Sequence, residues 1–114
     1  MIGKGVQAEQ WAARYLKQQG LQQLAKNYRC RAGEIDLIMQ DGGTLVFIEV
    51  RLRNSADFGG AAASIDLHKQ HRLIRTAQYY LARLGRTPPC RFDVVLMDDD
   101  EGLNVQWLKN AFDA

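Results

Sequence analysis

Cysteine is scarce in this chain. The two that occur, Cys30 and Cys90, lie far apart and form no CxxC pair, so they are expected to be reduced strand residues of a cytoplasmic protein. Long apolar runs are missing too, which excludes a membrane-spanning helix. The N-terminal stretch MIGKGVQAEQWAARYL has no apolar core of the signal-peptide kind,. No repeat, low-complexity tract or long linker divides residues 1–114, so a single domain is expected. Familiar catalytic signatures are also absent. His68 and His71 have no HExxH context, which argues against a zinc protease, and neither GxSxG nor a phosphate-binding glycine loop occurs,. The acidic run at 98–101 lacks the spacing of a calcium loop and reads as a solvated turn,.

What is present is an ordinary globular composition, 46% hydrophobic and 25% charged, with an uneven charge distribution,. Net charge is +2, yet residues 66–91 carry six basic residues against Asp66, and residues 92–114 carry six acids against Lys109. A basic segment of this kind can attract phosphates, although a solvated helix face has the same composition.

Periodicity orders the elements. Ala8, Trp11, Ala12, Tyr15 and Leu16 predict a helix over about 5–19, stopped by Gly20,. A strand follows at 22–30, then a hairpin with arms 34–40 and 44–53. The stretch NSADFGGAAAS reads as a mobile loop,. A second helix over 66–84 has Asp66 as N-cap and an apolar stripe of Leu73, Ala77, Tyr80, Leu81 and Leu84,. Strands at 90–97 and 103–109 flank the turn DDDEG,. The order αβββαββ predicts an α/β fold, a mixed five-stranded sheet flanked by helices.

The hairpin GEIDLIMQDGGTLVFIEVRLR raises a question. A two-residue Gly42-Gly43 loop sets Asp41 against Thr44, Met39 against Val46, Leu37 against Ile48 and Ile35 against Val50, one continuous apolar face. On the other face, beyond Ile38–Phe47, Asp36 falls opposite Glu49 and Glu34 opposite Arg51. Like charges directly opposite repel. Such a pair needs a cation, a shared proton or broad exposure to water. A hard divalent ion would satisfy it; a cross-strand salt bridge and a solvated sheet edge are the alternatives.

The spacing from Asp36 to Glu49 to Arg51 resembles the D-x12-E-x-[K/R] motif of the restriction-endonuclease-like superfamily. Most of the chain resembles the YraN-type bacterial proteins, which are similar to archaeal Holliday-junction resolvases. The resemblance runs through AEQWAARYL, NYRCRAGEIDLI, LVFIEVRLR, FGGAAASIDLHKQHRLIRTAQYYL and RFDVV. It implies a restriction-endonuclease-like fold, with Asp36 and Glu49 as Mg²⁺ (or Mn²⁺) ligands. It adds Glu9 of the first helix to the metal site and sets Glu34 beside it.

Arg51 stands where the family pattern usually has lysine. Arginine holds a fixed charge and cannot act as a base, but it can neutralise a phosphate. Lys69, which matches a family lysine on the second helix, could supply an amine. Lys69, Arg72, Arg75, Arg53 and Arg31 are candidate nucleic-acid contacts; His68, Arg72, Arg75 and Tyr79 lie near one helical stripe. The expectation is a DNA-associated, metal-dependent phosphodiesterase, endonuclease or resolvase-like. Branched DNA and a homodimer are within what the resemblance implies. The alternatives are an inactive nucleic-acid-binding module, which Arg51 favours, and a protein-interaction scaffold.

Overall fold

In the computed structural model the described residues are 4–53, 65–98 and 105–113. The stretch read as a mobile loop, 54–64, and most of the DDDEG turn lie outside them. Helix α1 (Lys4–Gln18) is followed by β1 (Gln22–Cys30), β2 (Gly33–Asp41) and β3 (Thr44–Arg53); then come α2 (Leu67–Leu84), β4 (Cys90–Asp98) and β5 (Val105–Phe112). The order is the expected αβββαββ.

Both helices end where local chemistry says they should. Gly20, at φ 98°, closes α1. Its N–H donates to Lys17 O at 3.0 Å, and the Leu21 N–H reaches Leu16 O at 3.1 Å. This is the paired-bond C-terminus that a left-handed residue allows, and buried Leu21 supplies its apolar contact,. At the start of α2, Asp66 is extended and its carboxylate accepts from the Lys69 N–H at 2.8 Å; Gly85 at φ 77° ends the helix,.

The five strands lie in chain order, β1-β2-β3-β4-β5. β3 and β4 are parallel and every other pair is antiparallel. Parallel neighbours need a crossover, and α2 occupies that connection. Helix α1 covers one face, where Ala8, Ala12 and Leu16 pack on Leu37, Met39, Val46, Ile48, Val95 and Met97. Helix α2 covers the other, with Leu73 and Ala77 against Ile35, Ile38, Phe47, Phe92 and Val94. A sheet buried on both faces explains the near-continuous apolar runs of β2, β3 and β4.

The hairpin turn pairs Asp41 with Thr44 as expected. Only Gly42 takes a positive φ, 61°, the pattern of a type II′ turn. The pairing holds back to Leu37–Ile48 and stops there. The expected rung Ile35–Val50 does not form, and Ile35 packs against α2, on the face opposite Leu37 and Met39. Strand β5 also runs further than expected, to Phe112. Its pairing with β4 shifts register between Phe92 and Val94, Asn110 takes a φ of 53°, and the strand continues past that irregularity,.

Candidate metal centre and phosphate-facing surface

The site forms where β2 and β3 part. Ile35 and Leu37 lie on opposite faces, so β2 loses one step of side-chain alternation at Asp36. Strand β1 loses the same step, since Ala25 and Tyr28, three residues apart, both pack on the α2 side. Between them Asn27 holds φ at 49°, a conformation that asparagine tolerates better than most residues. Beyond the last rung, the Val50 N–H donates to Asp36 Oδ2 at 2.8 Å. A carboxylate thus stands where the ladder would otherwise supply a carbonyl.

This break lets acids from both sides of the sheet meet. Asp36 is hydrogen-bonded to Glu49 of β3 and to Glu9 of α1. Glu49 is buried, only 4% exposed. Lys69 Nζ of α2 lies 3.0 Å from Glu49 Oε2, and Arg51 lies 3.9 Å from the same atom. With its amide nitrogen turned to the acids, Asn27 donates to Glu9 Oε1 (2.8 Å) and Glu34 Oε1 (3.1 Å),. Arg29 holds Glu34 Oε2 from outside at 3.2 Å.

The electrostatics follow. Burial first, then the charge of Glu49, pushes the Asp36 carboxyl up to about 8, against the opposing donation from Val50. Glu9 is also raised, by burial and then by Glu34. Two cations lie against Glu49, leaving Asp36 as the member of the pair that carries the shared proton,.

A second buried acid shows what a purely structural carboxylate looks like in the same sheet. Asp93 is 1% exposed and is surrounded by donors. Arg91 Nε lies at 3.1 Å, Trp107 Nε1 at 2.9 Å and the Asn110 N–H at 2.9 Å. It closes the irregular end of β5. Asp36 instead faces two other acids. Folding alone has no use for that arrangement, since an apolar or amide side chain would fill the space at less electrostatic cost.

Among the described residues, no three His, Cys, Asp or Glu side chains form a ready-made metal cage. The donor set nevertheless suits a hard ion. Mg²⁺ is commonly held by one or two carboxylates with water completing its shell, and Asp36 and Glu49 are two oxygen donors already in contact,. A divalent cation would take over the charge balance that the shared proton and Lys69 now supply.

The remaining candidates are dispersed. His68, Arg72, Arg75 and Tyr79 are all exposed on α2. Arg72 lies against Gly33, its Nε 3.7 Å from where a Cβ there would stand, with Thr76 Oγ1 at 3.2 Å. Arg31 is exposed in the β1–β2 connection. Arg53 ends β3, and its side chain lies outside the described residues. Sequence reasoning missed Asn27, whose signal was a poor strand former inside a strand pattern. It also missed Arg14, Lys17 and Lys26, which line a cavity of about 290 Å³ that shares Glu9 and Asn27 with the acid cluster.

The protein is similar to a UPF0102 protein of Nitrosomonas europaea, 58% identical over 110 residues that cover 96% of this chain and 93% of the relative. A UPF0102 protein of a Janthinobacterium species is likewise 58% identical over 110 residues, covering 96% and 87%. A third, of Nitrosospira multiformis, is 52% identical and covers 96% and 92%. The model of the uncharacterised protein family UPF0102 matches residues 8–97, from the first buried turn of α1 to the end of β4. The chain therefore belongs to the UPF0102 family.

Proposed function

We propose that this protein is a DNA-associated phosphodiesterase dependent on Mg²⁺ or Mn²⁺, endonuclease or resolvase-like, acting in the cytoplasm. The observation that carries the reading is the Asp36–Glu49 pair, two carboxylates in contact at the point where the ladder opens. Asp36 and Glu49 would hold the ion, with Glu9 and Glu34 beside them. A divalent ion bound there lowers the pKa of a coordinated water and offsets charge developing on a phosphoryl oxygen.

The chain's own residues have separable parts. The Val50 N–H fixes the orientation of Asp36. Asn27 holds Glu9 and Glu34 on the cluster. Lys69, at 3.0 Å from Glu49, brings to the site an amine that can exchange a proton, which the arginine at 51 cannot do,. Arg51, Arg72 and Arg75 carry fixed positive charge that can meet phosphate.

Arg51 favours a second reading, a binding module that keeps nucleic-acid affinity without cleavage. The test is cleavage of labelled single-stranded, duplex and four-way-junction DNA in Mg²⁺ and Mn²⁺, with Asp36→Asn as control. The phosphodiesterase reading expects cleavage of at least one form by the wild type and none by the variant. DNA binding by both proteins without cleavage establishes the binding module. Absence of binding to every form removes both readings.

A further inference from the structure

From the groove between α1 and β1 we infer a binding site for one nucleotide unit of a nucleic-acid strand, its phosphate held by Arg14, Lys17 and Lys26. The inference rests on the nuclease reading and deepens it by assigning the path of the strand beside the acid cluster.

The groove encloses about 290 Å³. That is the low end of small-ligand sites, suited to a single nucleotide unit and far too narrow for a duplex. Its two ends differ in charge. Glu9 and Asn27 belong both to the groove and to the acid cluster, so one end opens directly on the proposed metal centre. Lys17 lies two turns along α1 from Glu9, about 12 Å at the helical rise, and sits in the last turn, where a cation suits the helix dipole,. Arg14 stands between them on the same helix, and Lys26 faces them from β1.

No described acid lies within ion-pair range of these three cations. By contrast, Arg29, Arg51, Lys69 and Arg91 each have a carboxylate within 4 Å. Three uncompensated cations at one concavity will attract an anion. Leu37 forms an apolar part of the lining, against which a sugar or base face can rest. A strand whose reacting phosphate sat at Asp36 and Glu49 would thus meet cations on its neighbouring unit.

Fluorescence anisotropy of a labelled 12-nucleotide DNA single strand, titrated over a range of salt in EDTA to prevent cleavage, tests this. Each phosphate contact on a single strand contributes about 0.7 to the slope of log affinity against log salt. The triple variant Arg14→Gln, Lys17→Gln, Lys26→Gln removes the cations of one phosphate contact and should therefore lower the slope by about 0.7 and weaken binding at least tenfold at low salt. All three side chains are exposed, and thermal melts check that the fold is kept. Lys26→Gln alone, which leaves Arg14 and Lys17 on the same phosphate, should lower the slope by less than the triple variant does. The control Arg83→Gln, Arg86→Gln should leave the slope unchanged.

Wild-type binding with an unchanged slope in the triple variant overturns the groove assignment and leaves the nuclease reading standing. An equal per-residue loss in the control overturns the assignment as well, because general charge then explains binding. A labelled poly-glutamate peptide that binds as tightly and is lost equally in the triple variant overturns the nucleic-acid occupant in favour of an acidic protein segment. No binding of the strand by wild type, even at low salt, overturns the groove and the nuclease reading together.

Discussion

The Val50 N–H donates to the Asp36 carboxylate at 2.8 Å, one step beyond the last rung between β2 and β3. That bond has two consequences. It keeps the strand ends from fraying where their ladder stops, and it holds a carboxylate in a fixed direction against Glu49 and Glu9. The replacement of a backbone acceptor by a side-chain acceptor is what turns an ordinary hairpin into a site.

Asp36→Asn should separate these two consequences. Asparagine keeps an acceptor for Val50 and can donate to Glu49 as the protonated Asp36 carboxyl does, without the cost of holding a proton that the unfolded chain would release,. Without divalent metal, the variant should melt at the same temperature as the wild type or higher. Asp36→Ala removes the acceptor and leaves the Val50 N–H without its partner, a loss of about 1–3 kcal/mol. Paired thermal melts at neutral pH check both, and a strongly destabilised Asp36→Asn would contradict the electrostatic account.

Stability should fall as pH rises. Asp36 titrates near 8 in the folded chain, against about 3.9 when unfolded. Between those values the native state holds a proton that the unfolded chain has released. Stability contributed by this group is therefore full below the unfolded value and is lost as pH climbs through the folded one. The slope is at most about 1.4 kcal/mol per pH unit. Glu9, also raised, acts with the same sign. Urea melts from pH 5 to pH 9 should show the decline in wild type and a flatter profile in Asp36→Asn.

The arginine at 51 gives a kinetic prediction. If the amine at the site limits cleavage, Arg51→Lys should raise Mg²⁺-dependent cleavage of DNA with little change in affinity, since the formal charge is conserved. Lys69→Ala should lower cleavage more than Arg51→Ala does. Cleavage unchanged in both Arg51→Lys and Lys69→Ala would show that neither amine takes part.

Asp93 offers a structural contrast. Asp93→Ala leaves the half-buried Trp107 N–H and Arg91 Nε without their acceptor, while the Arg91 guanidinium keeps only Asp41, at 3.0 Å. Removing one partner of such a buried ionic network costs about 3–5 kcal/mol. Chemical denaturation should register that loss, while affinity for divalent metal, measured below the unfolding transition, stays as in wild type.

The element order was legible in the sequence because each boundary has local chemistry behind it. Gly20 needs a left-handed φ, Asp66 caps α2 and Gly42 makes the turn. The pairing near the turn was legible for the same reason. It failed at Ile35 because alternation assumes an unbroken strand, and β1 and β2 break together at Asn27 and Asp36. The end of β5 was misjudged because its irregularity at Asn110 is set by Asp93 on the neighbouring strand, a long-range contact that periodicity does not register. Asp36, Glu49 and Glu9 could be named from the sequence through the family resemblance. Their mutual contact depends on the strand break. The groove cations on α1 and β1 read as ordinary solvated charges until the fold sets them around one cavity.

The central claim is that the opened end of the β2–β3 hairpin is a divalent-cation site, and titration with Mn²⁺ followed by electron paramagnetic resonance tests it most directly. At pH 7 the account predicts one bound Mn²⁺ per wild-type chain, proton release on binding as the pair gives up its shared proton, and no comparable binding by Asp36→Asn or Glu49→Gln. Equal binding by wild type and both variants, or none by the wild type at millimolar Mn²⁺, would contradict it.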